Sequence, residues 1–169
     1  CIACNQACLD HAFENKVASC LVNPRACHET ELKYLPTPQA KKIAVVGAGP
    51  AGLSYATVAA ERGHDVTLFE ASADIGGQFN MAKRIPGKEE FYETIRYFRK
   101  QIELTGVKLV LNKRVTTSEI LSKKYDEVIL ATGVLPRVIN LEGENHEKAL
   151  TYIDVLRHQK AVGSRVAII

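Results

Sequence analysis

Apolar residues fall along this chain in short bursts separated by glycine and charge, and the bursts differ in period. Ile43-Ala44-Val45-Val46, Val66-Thr67-Leu68-Phe69, Val107 to Leu111 and Val128-Ile129-Leu130 are runs of strand length, the pattern of strands covered on both faces. Between them the period lengthens. Leu53 to Arg62 reads as an alanine-rich helix closed by Gly63. Glu89 to Thr105 spaces Phe91, Ile95, Phe98 and Ile102 at helical intervals before Gly106 stops it. Strands alternating with helices predict an α/β fold, a Rossmann-like domain on a mainly parallel sheet with helices on its faces.

The two ends depart from this rhythm. Residues 1–35 carry cysteines and no period, and predict irregular structure. Leu35-Pro36-Thr37-Pro38 then makes an extended connector, because each proline fixes its own φ and restrains the residue before it. Ser164-Arg165-Val166-Ala167-Ile168-Ile169 reads as one more buried parallel strand, without the loop that should follow it. The division is a cysteine-rich segment over 1–35, a dinucleotide-binding domain over 36–163, and the first strand of a further domain over 164–169. A first residue of Cys rather than Met suggests trimming from something longer. No internal repeat or low-complexity tract interrupts the chain.

Composition narrows the class. With 46% hydrophobic and 24% charged residues over 169 positions, disordered and fibrous classes are excluded. A net charge of +3, with basic residues scattered and densest at Arg99-Lys100 and Lys123-Lys124, draws no stripe for nucleic acid. No run is long enough to span a bilayer and the amino terminus lacks a signal-peptide pattern. The expectation is a cytoplasmic protein with neither nucleic acid nor membrane as partner.

Gly47-Ala48-Gly49-Pro50-Ala51-Gly52 fits G-x-G-x-x-G, and its context gives the match weight, because the loop leaves a buried strand and opens a helix. Gly47 permits the tight turn, Gly49 lets a pyrophosphate approach the backbone, and Gly52 lets helix pack on strand. Free N–H groups and the positive helix end, with Ala48 and Ala51 in the loop, face the phosphates. Glu70, 18 residues beyond Gly52, ends the next strand, where its carboxylate can accept both ribose hydroxyls of an adenosine. A 2′-phosphate would meet like charge there, so FAD or NAD is favoured over NADP.

Gly76-Gly77-Gln78 and the later Asp126 to Gly133 run, ending Ala131-Thr132-Gly133, resemble the two-part FAD signature of flavoprotein reductases related to glutathione reductase. That resemblance implies FAD. It brings Gly77 and Gln78 to the flavin side, the backbone of Val115 to the adenine, and the Ala131-Thr132-Gly133 turn over the dinucleotide.

Cys1, Cys4, Cys8 and Cys20 form C-x2-C-x3-C-x11-C. Four thiols within twenty residues and no secretory signal favour metal ligation over disulfides. Three cysteines packed into eight residues with one further on suit a 4Fe-4S cluster better than the paired knuckles usual for zinc, which stays as the alternative. Cys27, beside His28, falls outside that spacing and is assigned only packing.

Taken with Cys20-Leu21-Val22-Asn23-Pro24, Gly76-Gly77-Gln78-Phe79-Asn80 and Pro86-Gly87-Lys88-Glu89-Glu90-Phe91, these motifs closely resemble those of the bacterial NADPH-dependent 2,4-dienoyl-CoA reductases. These are iron–sulfur flavoproteins of the old yellow enzyme and trimethylamine dehydrogenase type. The resemblance spans essentially the whole chain. It implies a longer enzyme in which a barrel holding FMN and the acyl-CoA substrate precedes the cluster, and FAD and NADPH domains follow. Hydride would pass from NADPH to FAD and single electrons across the cluster to FMN, serving β-oxidation of unsaturated fatty acids. No catalytic residue is expected within this chain. Rival readings are an enoate reductase or amine demethylase on the same plan, and a non-redox module with zinc and a bound nucleotide. A plain NAD dehydrogenase fits the cysteines and the Ala131-Thr132-Gly133 turn poorly.

Overall fold

The computed structural model describes residues 1–137 and 140–169. The four apolar bursts pair into one parallel sheet of β1 (Lys42–Val46), β2 (Asp65–Phe69), β3 (Lys108–Val110) and β4 (Glu127–Leu130), in the order β3-β2-β1-β4. β1 is central, and the register sets Val46 beside both Phe69 and Leu130. All three strands therefore end together, and the loops that follow them gather at one edge, where ligands of open parallel sheets are held.

Alternation divides the core. Ile43, Val45, Val66 and Leu68 point to the face covered by α2 (Pro50–Glu61) and α4 (Phe91–Thr105), and pack with Leu53, Ala56, Ile75, Ile95 and Ile102. Ala44 and Phe69 point to the other face and meet Ile120 of α5 (Thr117–Ser122), with Val115 and Tyr125 half-buried beside them. Helix α2 begins at Pro50, a turn earlier than its apolar pattern predicts. Proline suits the first helical position, where its missing N–H has no intrahelical partner to lose. Helix α4 begins later than predicted, at Phe91, because Gly87 turns with φ 82° and residues 88–93 close short i to i+3 bonds first. It ends as expected at Gly106, in the left-handed region with φ 75°.

Four short helices arise without an apolar period to announce them: α1 (Ala7–Phe13), α3 (Phe79–Ala82), α5 and α6 (Tyr152–Leu156). Helices α5 and α6 open on reciprocal caps, Thr116 with Glu119 and Thr151 with Asp154. The first corrects one expectation, since α1 gives the cysteine-rich segment regular structure. A second concerns Ser164–Ile169, which forms no strand and is exposed. An apolar run becomes a strand only when a neighbouring edge takes its hydrogen bonds, and among the described residues none does.

The connector is docked. The Thr37 N–H donates to the Arg62 carbonyl at 2.7 Å, and Arg62 Nε donates to the Leu35 carbonyl at 3.1 Å, so Leu35–Pro38 lies against the carboxyl end of α2. Among the described residues no helix is long and apolar enough to cross a membrane.

Candidate functional site

The loop between β1 and α2 is built by three glycines with different neighbours. Gly47 has φ 105°, and a Cβ there would stand 2.3 Å from the Ala131 carbonyl oxygen. A Cβ on Gly52 would stand 1.9 Å from the Gly47 carbonyl oxygen. Both are therefore needed by the protein's own packing. Gly49 differs, because nothing lies within 4 Å of its Cβ position. Its openness faces outward at the start of α2, where Ala51 and Gly52 offer unpaired N–H groups. That is room for a phosphate.

Glu70 stands where the sequence places it, at the end of β2, and the structure adds what it touches. One carboxylate oxygen accepts the Ala48 N–H at 2.8 Å and the other the Ser72 N–H at 2.8 Å. Each oxygen keeps a second lone pair for a ribose hydroxyl. Glu70 is thus a brace of the loop, with acceptor capacity to spare. The Lys113 N–H donates to the Glu70 carbonyl, while the Lys113 ammonium pairs with Glu119. That ammonium, followed by the Thr116 N–H, holds the Glu119 carboxyl down to about 2. Val115 packs beneath, with its side chain in the Ala44 and Phe69 cluster.

The other two motifs flank the glycine loop. Gly76 donates its N–H to the Ala48 carbonyl at 2.7 Å, and a Cβ on Gly77 would stand 3.2 Å from the Gly49 Cα. On the opposite side the Ala131 N–H donates to the Val46 carbonyl, and Thr132 and Gly133 follow as exposed backbone, with φ 74° at Gly133. Gln78 Nε2 donates to the Val134 carbonyl at 2.6 Å, joining the flanking turns. The sequence reading missed Ser72 and Val134, because both act through backbone atoms that any residue supplies.

The cysteines are a different case. All are free thiols; Cys1 and Cys8 are exposed, Cys4 and Cys20 half-buried. Cys8 rides on α1, and Cys4 lies between Ala3 and Asn5, both left-handed with φ 51°. Among the described residues no three Cys, His, Asp or Glu side chains converge as metal ligands. Four thiolates are the donor chemistry a cluster needs, but the geometry does not gather them. Cys27 is exposed rather than packed, so its expected packing role is corrected. A cleft of about 710 Å³ separates this segment from the domain, with Cys4, Ile2 and Leu21 on one wall and Pro50, Phe79 and Phe91 on the other.

The residues around Gly49 fit the ADP half of FAD: open space for a phosphate, a carboxylate at the end of β2 with acceptor capacity to spare, and a turn on either side of the loop. Comparison with known proteins agrees. The chain is 40% identical over 173 residues to a metal reductase of Desulforamulus reducens, covering 100% of this chain and 26% of that protein. It is 34% identical over 174 residues to a cinnamate reductase of Clostridium sporogenes, covering 100% of this chain and 25% of that one. The solved structure of 2-naphthoyl-CoA reductase superposes with a TM-score of 0.89 at 38% identity, over 96% of this chain and 25% of its own. The chain thus spans about a quarter of the length of these relatives. Residues 41–169 match the family model described as pyridine nucleotide-disulphide oxidoreductase. This chain belongs to that family, whose members are flavin- and pyridine-nucleotide-dependent oxidoreductases.

Proposed function

We propose that this chain is the FAD-holding portion of a longer flavoprotein that reduces 2,4-dienoyl-CoA thioesters with NADPH. The observation that carries the FAD reading is the pairing of an open Gly49 with a Glu70 carboxylate braced by the Ala48 and Ser72 N–H groups. When bound, FAD supplies an acceptor for hydride from the nicotinamide and a store for two electrons. The chain's own residues bind and orient. Loop N–H groups and the α2 terminus neutralise the pyrophosphate, Glu70 fixes the ribose and rejects a 2′-phosphate, and the turns at Gly77 and Gly133 lead the second half away from the loop.

The thioester reading is supported by the likeness to 2-naphthoyl-CoA reductase and by the motifs shared with dienoyl-CoA reductases. In the net reaction NADPH and a proton give one hydride and one proton to the conjugated diene, leaving an enoyl-CoA and NADP+. Cys1, Cys4, Cys8 and Cys20 are read as ligands of a 4Fe-4S cluster on donor chemistry and spacing. An enoate reductase is the second reading, favoured by the identity to the cinnamate reductase.

Anaerobic turnover of the full-length protein with NADPH separates these readings. Oxidation of NADPH with 2,4-hexadienoyl-CoA, and none with cinnamate or ferric citrate, is the expected result. Turnover of cinnamate alone would replace the thioester by a free acid. A preparation without flavin absorbance, but with bound zinc and ADP, would replace redox chemistry by nucleotide recognition.

A further inference from the structure

We propose that His11 is a positioning residue that folds the chain bearing Cys20 back onto the helix bearing Cys8, closing the long gap of the C-x2-C-x3-C-x11-C spacing before a metal arrives. The inference rests on the reading of the four thiols as metal ligands and adds how the distant one is brought back.

Cys1, Cys4 and Cys8 follow one another closely, but the chain that leads from Cys8 to Cys20 is long enough to carry the last thiol about 40 Å away if extended. The end of α1 removes that freedom. Phe13 is its last residue, and Asn15 turns left-handed with φ 56°. Across this turn the Asn15 N–H donates to the Ala12 carbonyl at 3.2 Å and the Lys16 N–H to the His11 carbonyl at 2.9 Å. Two such bonds closed over a left-handed residue reverse the chain at a helix end. Asparagine suits the position, because its short polar side chain tolerates the left-handed region.

The His11 ring then holds the returning chain. Its Nδ1 lies 2.9 Å from the Val17 carbonyl oxygen, which can only accept, so this nitrogen carries the proton and donates. The Ser19 hydroxyl oxygen lies 3.4 Å from the same nitrogen. One residue thus meets the chain at Lys16 through its carbonyl and at Val17 and Ser19 through its ring, and Cys20 comes next. Cys8 precedes His11 by one turn of α1 and shares its face. Phe13 and Val17 are exposed while His11, Ser19 and Cys20 are half-buried, so polar bonds rather than apolar packing of those two side chains hold the reversal. The clasp does not set ligand distances. It reduces the volume that Cys20 must search, and the metal draws in the thiols from there.

Two measurements on the full-length protein test the clasp. In the anaerobic holoprotein, iron release to a ferrous chelator should speed up about three- to tenfold in His11→Ala, the size of one neutral hydrogen bond. His11→Phe keeps a ring without a donor and should behave like His11→Ala. His11→Asn sets an N–H the same number of bonds from the backbone and should bring release back toward the wild-type rate. FAD content should be unchanged in all three. The second measurement needs no metal and uses Cys8→Ser, in which the cluster is not expected to form. There, hydrogen exchange over residues 14–20, read by mass spectrometry, should be faster when His11→Ala is added and restored when His11→Asn is added instead.

Wild-type iron release in His11→Phe would make the bulk of the ring, not its N–H, the holding group, and would overturn the clasp. Exchange that ignores His11→Ala in the Cys8→Ser protein would show that the metal closes the loop, and would overturn it as well. Zinc in place of iron in the wild-type protein would overturn the cluster reading alone, and zinc release from the same variants then reads the clasp. A wild-type protein with neither metal would overturn both.

Discussion

The cysteine-rich segment and the sheet domain obey opposite rules for placing chemical groups. In the domain, each site element is held by core: Ile43, Val45 and Leu68 fix where β1 and β2 end, and the loops follow. Over residues 1–35 only Ile2 is buried. The other large apolar side chains there, among them Leu9, Phe13, Val17 and Leu21, are exposed and pack into no core that would hold four thiols at metal-ligand distances, so the ligands themselves would have to do so. A site built on a sheet is formed before its ligand arrives. One built on an exposed segment is completed by its ligand, because binding energy serves as folding energy.

The sharpest break between the two regions is Cys8→Ser in the full-length protein. Anaerobically purified wild type should carry about four iron and four acid-labile sulfide per chain, whereas the variant should lose nearly all of both. FAD content should stay at the wild-type level, and Cys27→Ser should alter neither quantity. One zinc per chain in place of iron would assign the segment a structural metal.

Gly52→Ala tests the domain from within. Its methyl would drive into the Gly47 carbonyl and should cost about 3 kcal/mol in denaturant melts, with FAD lost. Gly49→Ala is the control, since its methyl enters open space. Stability should stay within about 0.5 kcal/mol of wild type while FAD affinity falls. Equal destabilisation by both would mean that Gly49 is a packing residue.

Glu70→Ala should weaken FAD by about 1.5 to 3 kcal/mol, read by titration calorimetry, because a charge-assisted bond to ribose is removed. The same change frees the Ala48 and Ser72 N–H groups, so a modest loss of melting temperature should accompany it. Unaltered flavin retention would show that the carboxylate only braces the loop.

The smallest effect concerns acid. Glu119 ionises near 2 in the folded chain against an ordinary 4.5. A depressed carboxyl lends stability that is present above the unfolded value and fades as pH falls through the folded one. Helix α5 should therefore loosen between pH 4.5 and about 2, seen as lost ellipticity. Glu119→Gln should remove that pH dependence, and an identical acid profile in the variant would assign the transition to other carboxyls.

These contrasts explain what could be read from the sequence. The core strands, α2 and α4 were legible because burial imposes a period, and the turn at Gly47 and Gly52 because a strand–loop–helix junction this tight leaves no room for a Cβ at fixed spacing, with Glu70 following the next strand. The entry to α5 carried a readable signal, Thr116 three residues before Glu119. Helices α1 and α3 are too short for a period to register. Ser164–Ile169 misled because hydrophobicity reports what a segment wants to bury and says nothing of a partner's presence. The reach of Gln78 to Val134 depends on how two distant turns meet, which no local pattern encodes.

The docked connector bears on how the two regions meet. A free tether of n residues lets its ends wander, and the effective concentration of one end about the other falls roughly as the −3/2 power of length. Here Thr37 and Leu35 are tied to Arg62, so the tether is already spent when it leaves the domain. Glycines inserted after Pro38 would add slack to a span whose start is fixed. The same insertion ahead of Leu35 would release the cysteine segment into a volume set by chain statistics. How closely the cysteine segment can follow the domain is then set in part by two hydrogen bonds at the end of α2 opposite the glycine loop.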